Sequence, residues 1–106
     1  MSFINLQVIG NVGRVQELRH TQSGKEVLNF TVAANERIGQ EDRTTWVEVT
    51  AWNGLATMLS QHLTAGQQVM VSGRPGTRLW TDQNGTAHSA LTLSANEFRF
   101  LGRKPE

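Results

Sequence analysis

Apolar and polar residues alternate along five segments of the chain, which is the pattern of β-strands with one buried face. These predicted strands cover residues 3–15, 27–35, 44–52, 68–73 with an extended continuation over 77–81, and 87–101. Gly10 and Gly13 predict a bend in the first strand, and the run Arg74-Pro75-Gly76 predicts a break or bulge in the fourth. Residues 22–25 and 82–85 predict tight turns, whereas the polar segment 36–43 predicts a solvated hairpin loop.

One helix is predicted between the third and fourth strands, because apolar residues recur there at helical spacing from Leu55 to Leu63. Asn53 is the predicted N-cap of this helix and Gly66 its stop signal. Three strands, one helix and two more strands predict an all-β fold, the five-stranded Greek-key barrel called the oligonucleotide/oligosaccharide-binding (OB) fold. An SH3-like barrel or a small sandwich competes with this prediction, and the helix between strands 3 and 4 favours the OB fold.

The length and composition limit the classes of protein to be considered. A chain of 106 residues can build one modest core, so we expect a single domain over residues 1–103 and a short polar end over 104–106. A formal charge of +1 means that only a local basic path could attract a polyanion. The lack of cysteine excludes disulfide and thiolate chemistry. No membrane-spanning run and no signal or transit pattern is found, which predicts a cytosolic protein.

The tryptophans stand on the polar side of their predicted strands. Trp46 and Trp52 alternate with Val47, Val49 and Ala51, and thus share a face with Glu48 and Thr50. A strand normally places large aromatic residues in the core, so this arrangement predicts exposed rings on which nucleic-acid bases can stack. The alternative is that these rings pack under the helix or line a subunit interface. Trp80 repeats the arrangement, with Arg78 two residues before it on the same face.

The sequence contains no pattern of a catalytic site. It has no nucleophile elbow, no phosphate-binding Walker loop and no paired acid with a partner histidine. Its three histidines are not in a metal-binding spacing. We therefore expect a protein that is not an enzyme, with no catalytic residue, no bound metal and no cofactor.

Several segments resemble the bacterial single-stranded DNA-binding protein family, over residues 5–102 of the chain. The most specific is the run Thr-Arg-Leu-Trp-Thr-Asp-Gln-Asn-Gly at residues 77–85. The others are residues 10–13, 17–19, 30–33, 45–46, 52–56, 66–69 and 73–74. The resemblance implies a non-catalytic homotetramer of OB barrels that wraps single-stranded DNA with little sequence preference. It also implies that Trp46, Trp52 and Trp80 stack on bases, and that Arg78 is the basic residue beside the last of them.

The chain departs from the family pattern at four places. Ile38 stands where the family can carry a further stacking tryptophan, and Glu48 places an acid on the binding face. Pro75-Gly76 replaces an aliphatic–basic pair. The sequence stops at Glu106 without the acidic tip through which the family recruits other enzymes, so we expect no recruitment through this C-terminus.

We therefore expect sequence-tolerant binding of single-stranded DNA in replication, recombination and repair, in the bacterial cytoplasm at the nucleoid. Bases would stack on the tryptophans, and cations spaced along a groove would bind the phosphate backbone. The candidate cations are Lys25, Arg37, Arg43, Arg74 and Arg78. Phe3 and Ile9 lie out of phase with Leu6 and Val8 on the first strand, which predicts a homotetramer, with a dimer as the fallback. The alternatives are a replication-restart protein like primosomal protein N, or an OB scaffold that binds only proteins.

Overall fold

Six strands and one helix follow one another in the computed structural model, which describes residues 1–102. In chain order the elements are β1 (Leu6–Val15), β2 (Arg19–His20), β3 (Glu26–Ile38), β4 (Glu41–Trp52), α1 (Asn53–His62), β5 (Gln68–Thr81) and β6 (Ala87–Leu101). The predicted polar end at 104–106, and the expectation about recruitment that rests on it, lie outside the described residues. No helix within residues 1–102 is long and apolar enough to cross a membrane.

β1 closes the sheet into a barrel because it pairs with two different strands. Its residues 6–11 run antiparallel to β5, and its residues 11–15 run antiparallel to β3. The other neighbours follow the order β5-β6-β4-β3, in which β4 and β6 are parallel over four residues from Val47 and Leu91. This closed five-stranded barrel with a helix between β4 and β5 confirms the predicted OB fold. The two-residue strand β2, at the edge of β3, was not predicted.

A glycine lies where β1 passes from one partner to the other. A Cβ atom at Gly10 would lie 2.3 Å from the carbonyl oxygen of Ala33 in β3, so a side chain there would push the two strands apart. The pairing of β1 with β3 also shifts its register between Val12 and Val15. β1 thus turns at the position where the sequence places its glycines.

The core lies inside the barrel and is formed by the apolar face of each long strand. α1 covers one side with Ala56 and Leu59, which are fully buried. The alternating pattern predicted the inward residues of β3 and β4, which are Leu28, Phe30, Val32, Val47, Val49 and Ala51. Burial of such a side chain contributes about 1.5–3 kcal/mol. In β6 the inward phase changes between Leu93 and Phe98, because the extra residue Asn96 forms a bulge opposite Ser72 and Gly73.

The structure differs from the sequence prediction in two strands. Residues 36–43 are not a loop: Glu36 pairs with Arg43, and Ile38 with Glu41, so only Gly39 and Gln40 form the turn. The hairpin projects with both faces in water, and its sequence therefore lacks the alternation that marks a strand. β5 is continuous through residues 74–76, and its one register shift lies before them, between Ser72 and Gly73.

The ends of α1 also differ from the prediction. Trp52, not Asn53, is the N-cap, and no side chain caps the first turn. Asn53 has a positive φ of 56°, a left-handed conformation that asparagine tolerates better than most residues. The helix ends at His62, and Gly66 (φ 88°) instead forms the following turn, where its N–H donates to the carbonyl of Val12.

Candidate nucleic-acid interface

Trp46, Trp52 and Trp80 keep 55%, 41% and 39% of their surface exposed. Trp46 and Trp52 are six residues apart on one face of β4, a separation of roughly 20 Å along an extended strand. Trp80 lies on β5, which β6 separates from β4. None of the three belongs to the buried core of the described chain.

Trp46 rests on a backbone surface that has no side chain. The indole lies over Gly13 of β1, where a Cβ atom would lie 2.6 Å from the ring and 2.7 Å from Oγ1 of Thr31. Its partner across the β3–β4 ladder is Ala33, another small residue. Small neighbours on both sides leave the indole exposed rather than enclosed.

Trp52 and Arg74 line the same shallow cavity. This cavity has a volume of about 340 Å³ and is also bordered by Thr50, Pro75 and Thr92. Arg74 pairs with Ser94 of β6, and Ser94 also pairs with Thr50 near the end of β4. Among the described residues, no ion pair involves Arg74. An aromatic face and a cation thus lie beside each other at this end of the barrel.

Trp80 is flanked by two residues that can carry a positive charge. The guanidinium carbon of Arg78 lies 4.1 Å from the centre of the indole, a cation–π geometry. On the neighbouring strand β6, His88 is the direct cross-strand partner of Trp80. The imidazole and indole rings are nearly parallel at 19°, with their centres 5.3 Å apart.

Arg78 is held by Glu48, the acid that the sequence places on the binding face. Nε of Arg78 donates to Oε1 of Glu48 at 2.9 Å, and Nη2 donates to Oε2 at 2.8 Å. The hydrogen bond from Arg78, and secondly its charge, hold the pKa of Glu48 below its ordinary value, although desolvation opposes them. The hydrogen bond that Arg78 donates to Glu48 raises the pKa of Arg78. Both groups are therefore charged at neutral pH, and their charges cancel locally.

A cavity of about 360 Å³ opens beside this ion pair. Arg14, Asn29, Thr50 and Thr92 are among its lining residues. The hydroxyl of Thr50 donates to Oδ1 of Asn29 at 2.9 Å. The cavity thus offers hydrogen-bonding groups on the outer side of β3 and β4.

The remaining candidate cations lie away from the tryptophans. Arg37 and Arg43 are on the projecting β3–β4 hairpin, where each faces an acid, at 3.8 Å from Asp42 and 3.4 Å from Glu41 respectively. The ladder places Arg37 on the same face as Trp46, and Arg43 on the opposite face. Lys25 lies in the turn before β3. The structure therefore brings together Arg78 with Trp80 and Arg74 with Trp52, but not Arg43 with Trp46.

The comparison with protein families matches residues 3–101 to the single-strand binding protein family. The chain belongs to this family. The match covers every strand and the helix described above. In the part of the chain that the structure describes, no group of three or more His, Asp or Glu side chains could hold a metal ion.

Curated relatives within the family are similar along nearly the whole chain. The single-stranded DNA-binding protein 1 of Chlorobaculum tepidum is 36% identical in an alignment 105 positions long, gaps included, that covers 93% of this chain and 65% of that protein. The single-stranded DNA-binding protein of Neisseria meningitidis serogroup A is 35% identical in an alignment 111 positions long, gaps included, that covers 100% of this chain and 64% of that protein. This chain thus spans just under two thirds of the length of these relatives.

A solved structure of a family member has the same fold. The Plasmodium falciparum SSB in complex with ssDNA has a TM-score of 0.78 and 25% sequence identity to this chain. The similarity covers 96% of this chain and 97% of that one. The two chains thus share the same fold over nearly all of their length.

Sequence reasoning missed two residues beside the candidate site. Arg14 lines the cavity beside the Arg78–Glu48 ion pair, but it follows a glycine in a strand and had no aromatic neighbour to indicate it. His88 stacks on Trp80, and the sequence did contain a signal for it. Counting outward from a three-residue loop over 83–85, with Gly85 (φ 82°) at its left-handed last position, pairs residue 81 with 87 and residue 80 with 88.

Proposed function

We propose that this chain binds single-stranded DNA with little sequence preference, by stacking bases on Trp46, Trp52 and Trp80. The observation that carries the proposal is that all three indoles remain substantially exposed on two strands of one barrel. Membership of the single-strand binding protein family supports it. The similar Plasmodium falciparum protein, whose structure is a complex with ssDNA, supports it as well.

Stacking supplies most of the binding free energy in this proposal, and cations supply less. Each base stacked on an aromatic residue contributes about 1–3 kcal/mol. Arg37, Arg43 and Arg78 each face an acid, so their charges are partly compensated before DNA arrives. Arg74 beside Trp52 and Lys25 at the turn are the cations that we expect to meet phosphates first. This balance fits the formal charge of +1.

The biological role follows from this binding. We propose that residues 1–103 are the DNA-binding domain and that it covers single strands during replication, recombination and repair. Such a role places the protein in the bacterial cytoplasm, at the nucleoid. Coating a strand requires no bond to be made or broken, so we propose a binding protein without catalytic activity and without a cofactor.

Assembly is proposed to occur through the first strand. Phe3 and Ile4, which precede β1, are exposed, and so is Ile9 within it. Residues 6–10 of β1 pair with β5 on one side, whereas its pairing with β3 begins only at Asn11. An open edge beside exposed apolar side chains favours another copy of the chain. We expect light scattering to give a tetramer, or a dimer as the fallback, and a mass near 11.8 kDa would contradict both.

Tryptophan fluorescence with oligo(dT) tests the proposed function. Stacking of thymines should quench the emission, whereas a scaffold that binds only proteins should show no change. We expect Trp52→Ala and Trp80→Ala each to weaken binding by about 1–3 kcal/mol while the melting temperature is retained. Removal of a core tryptophan would instead cost about 3–5 kcal/mol of stability. A large loss of stability with unchanged affinity would refute the assignment of these residues to the site.

A further inference from the structure

His88 and Trp80 form a stacked aromatic pair at the base of the β5–β6 turn. The two residues are cross-strand partners, and both side chains reach solvent. A ring-centre distance of 5.3 Å with a 19° angle is an offset parallel stack, so the imidazole lies over part of one face of the indole. Because 41% of the His88 side chain is exposed, the pair offers a second aromatic ring to the solvent.

The position of the imidazole is fixed from the turn. Nε2 of His88 lies 2.7 Å from Oδ2 of Asp82, and the other oxygen of Asp82 accepts from the backbone N–H groups of Asn84 and Thr86. These contacts tie the carboxylate to the turn and the ring to the carboxylate. His88 is thus held in place before any ligand binds, which lowers the entropy cost of stacking on it.

Resting on the proposed function, we propose that His88 is itself a DNA-binding residue, which extends the Trp80 stack by one ring and binds single strands more tightly when it is protonated. A base that stacks on the exposed imidazole would continue the column of rings that the indole and the imidazole begin. A protonated ring would add a cation at the place where the phosphate between two stacked bases must pass.

The charged groups around His88 determine the direction of the pH effect. Asp82 faces Nε2 of His88 from the turn. Arg78 of β5 lies over the indole of Trp80, on which His88 stacks, and the carboxylate of Glu48 in β4 compensates the charge of Arg78. These three groups sum to one negative charge, which protonation of His88 cancels. Hydrogen bonds, first from His88 and then from Thr86, lower the pKa of Asp82, so this carboxylate stays ionised across the range in which histidine titrates. Acidification from pH 8 to 5.5 therefore removes a repulsion toward phosphate.

Binding of oligo(dT) at pH 5.5 and 8.0, at one fixed salt concentration, tests the proposal. Thymine does not titrate between these values, so the ligand stays constant. We expect the unaltered protein to bind about two- to fivefold more tightly at pH 5.5, the size of one partly screened charge. His88→Phe keeps an aromatic ring at this position but should lose the pH response. His88→Ala should bind about fivefold more weakly at pH 8.0, which corresponds to 1 kcal/mol.

Two further variants separate the explanations. His62→Phe removes an exposed histidine on α1 and should leave the pH response unchanged. Trp80→Ala should retain the response if His88 touches DNA directly, whereas loss of the response there would mean that His88 only positions Trp80. A full response in His88→Phe, or unchanged affinity in His88→Ala, would overturn the proposal. Failure of the unaltered protein to bind oligo(dT) at either pH would instead overturn the proposed function.

Discussion

Replacing Glu48 with glutamine should strengthen DNA binding and make it more sensitive to salt. The carboxylate occupies two of the five N–H donors of Arg78 and cancels its charge. Glutamine has nearly the same shape and keeps one acceptor oxygen, and the contact with Trp80 continues to orient the guanidinium. The main change is therefore one uncompensated positive charge on the face that carries the tryptophans.

The size of the effect follows from counterion release. For single strands, the slope of log K against log salt steepens by about 0.7 for each phosphate that a protein neutralises. If Arg78 becomes free to neutralise one phosphate, a tenfold change in salt should alter affinity by about fivefold more than in the unaltered protein. Glu48→Gln should thus bind more tightly at 50 mM salt and approach the unaltered protein at 500 mM.

Fluorescence titration with oligo(dT) between these two salt concentrations measures both affinities. Glu97→Gln is the matched control, because Glu97 is an exposed acid of β6 that is in none of the ion pairs of residues 1–102. The control changes the net charge equally but frees no cation beside a tryptophan. Equal slopes for the two variants, or weaker binding by Glu48→Gln at low salt, would refute the argument that Glu48 restrains Arg78.

Two more predictions concern the same surface. Gly13→Ala should push the Trp46 indole off β1 and weaken oligo(dT) binding by up to about 1–3 kcal/mol. Gly54→Ala is the control, because a Cβ atom there would meet open space, and this variant should bind normally. Equal affinities of the two variants would contradict the role of Gly13. Because the pKa values of Glu48 and Asp82 lie below their ordinary 4.5 and 3.8, their contribution to stability is present above these values and is lost on further acidification. Urea unfolding from pH 7 to 3 should therefore show a smaller loss of stability for Glu48→Gln/Asp82→Asn than for the unaltered protein, and identical losses would contradict this.

The fold could be predicted from the sequence wherever one face of a strand is buried. Residues 27–35 and 44–52 alternate because Leu28 and Val49, for example, face the core while their neighbours face water. The outer part of the β3–β4 hairpin has water on both faces, so no alternation marks it and the turn was predicted too long. The start of α1 was misjudged for a different reason, since Asn53 relieves backbone strain there rather than capping the helix.

Less of the candidate site than of the fold could be predicted from the sequence. The exposure of Trp46 could be predicted because it shares one face of its strand with the polar residues Glu48 and Thr50. The pairing of Arg78 with Glu48 could not, since the two residues are 30 positions apart and lie on strands separated by β6. The pairing of β6 with both strands brings them within reach of one arginine side chain, and the register of those pairs cannot be read from the sequence.

The order of strand pairing has a consequence for synthesis on the ribosome. β4 pairs on one side with β3, which precedes it, but its other edge has no partner until residues 91–94 of β6 have been made. β1 likewise lacks its β5 partner until residues 68–73 have been made. An emerging chain therefore keeps one edge of β4 unpaired until its last strand has left the exit tunnel, even after β5 has been made and can pair with β1. The barrel can close only after translation of β6, so this edge is open to pairing with another chain until then.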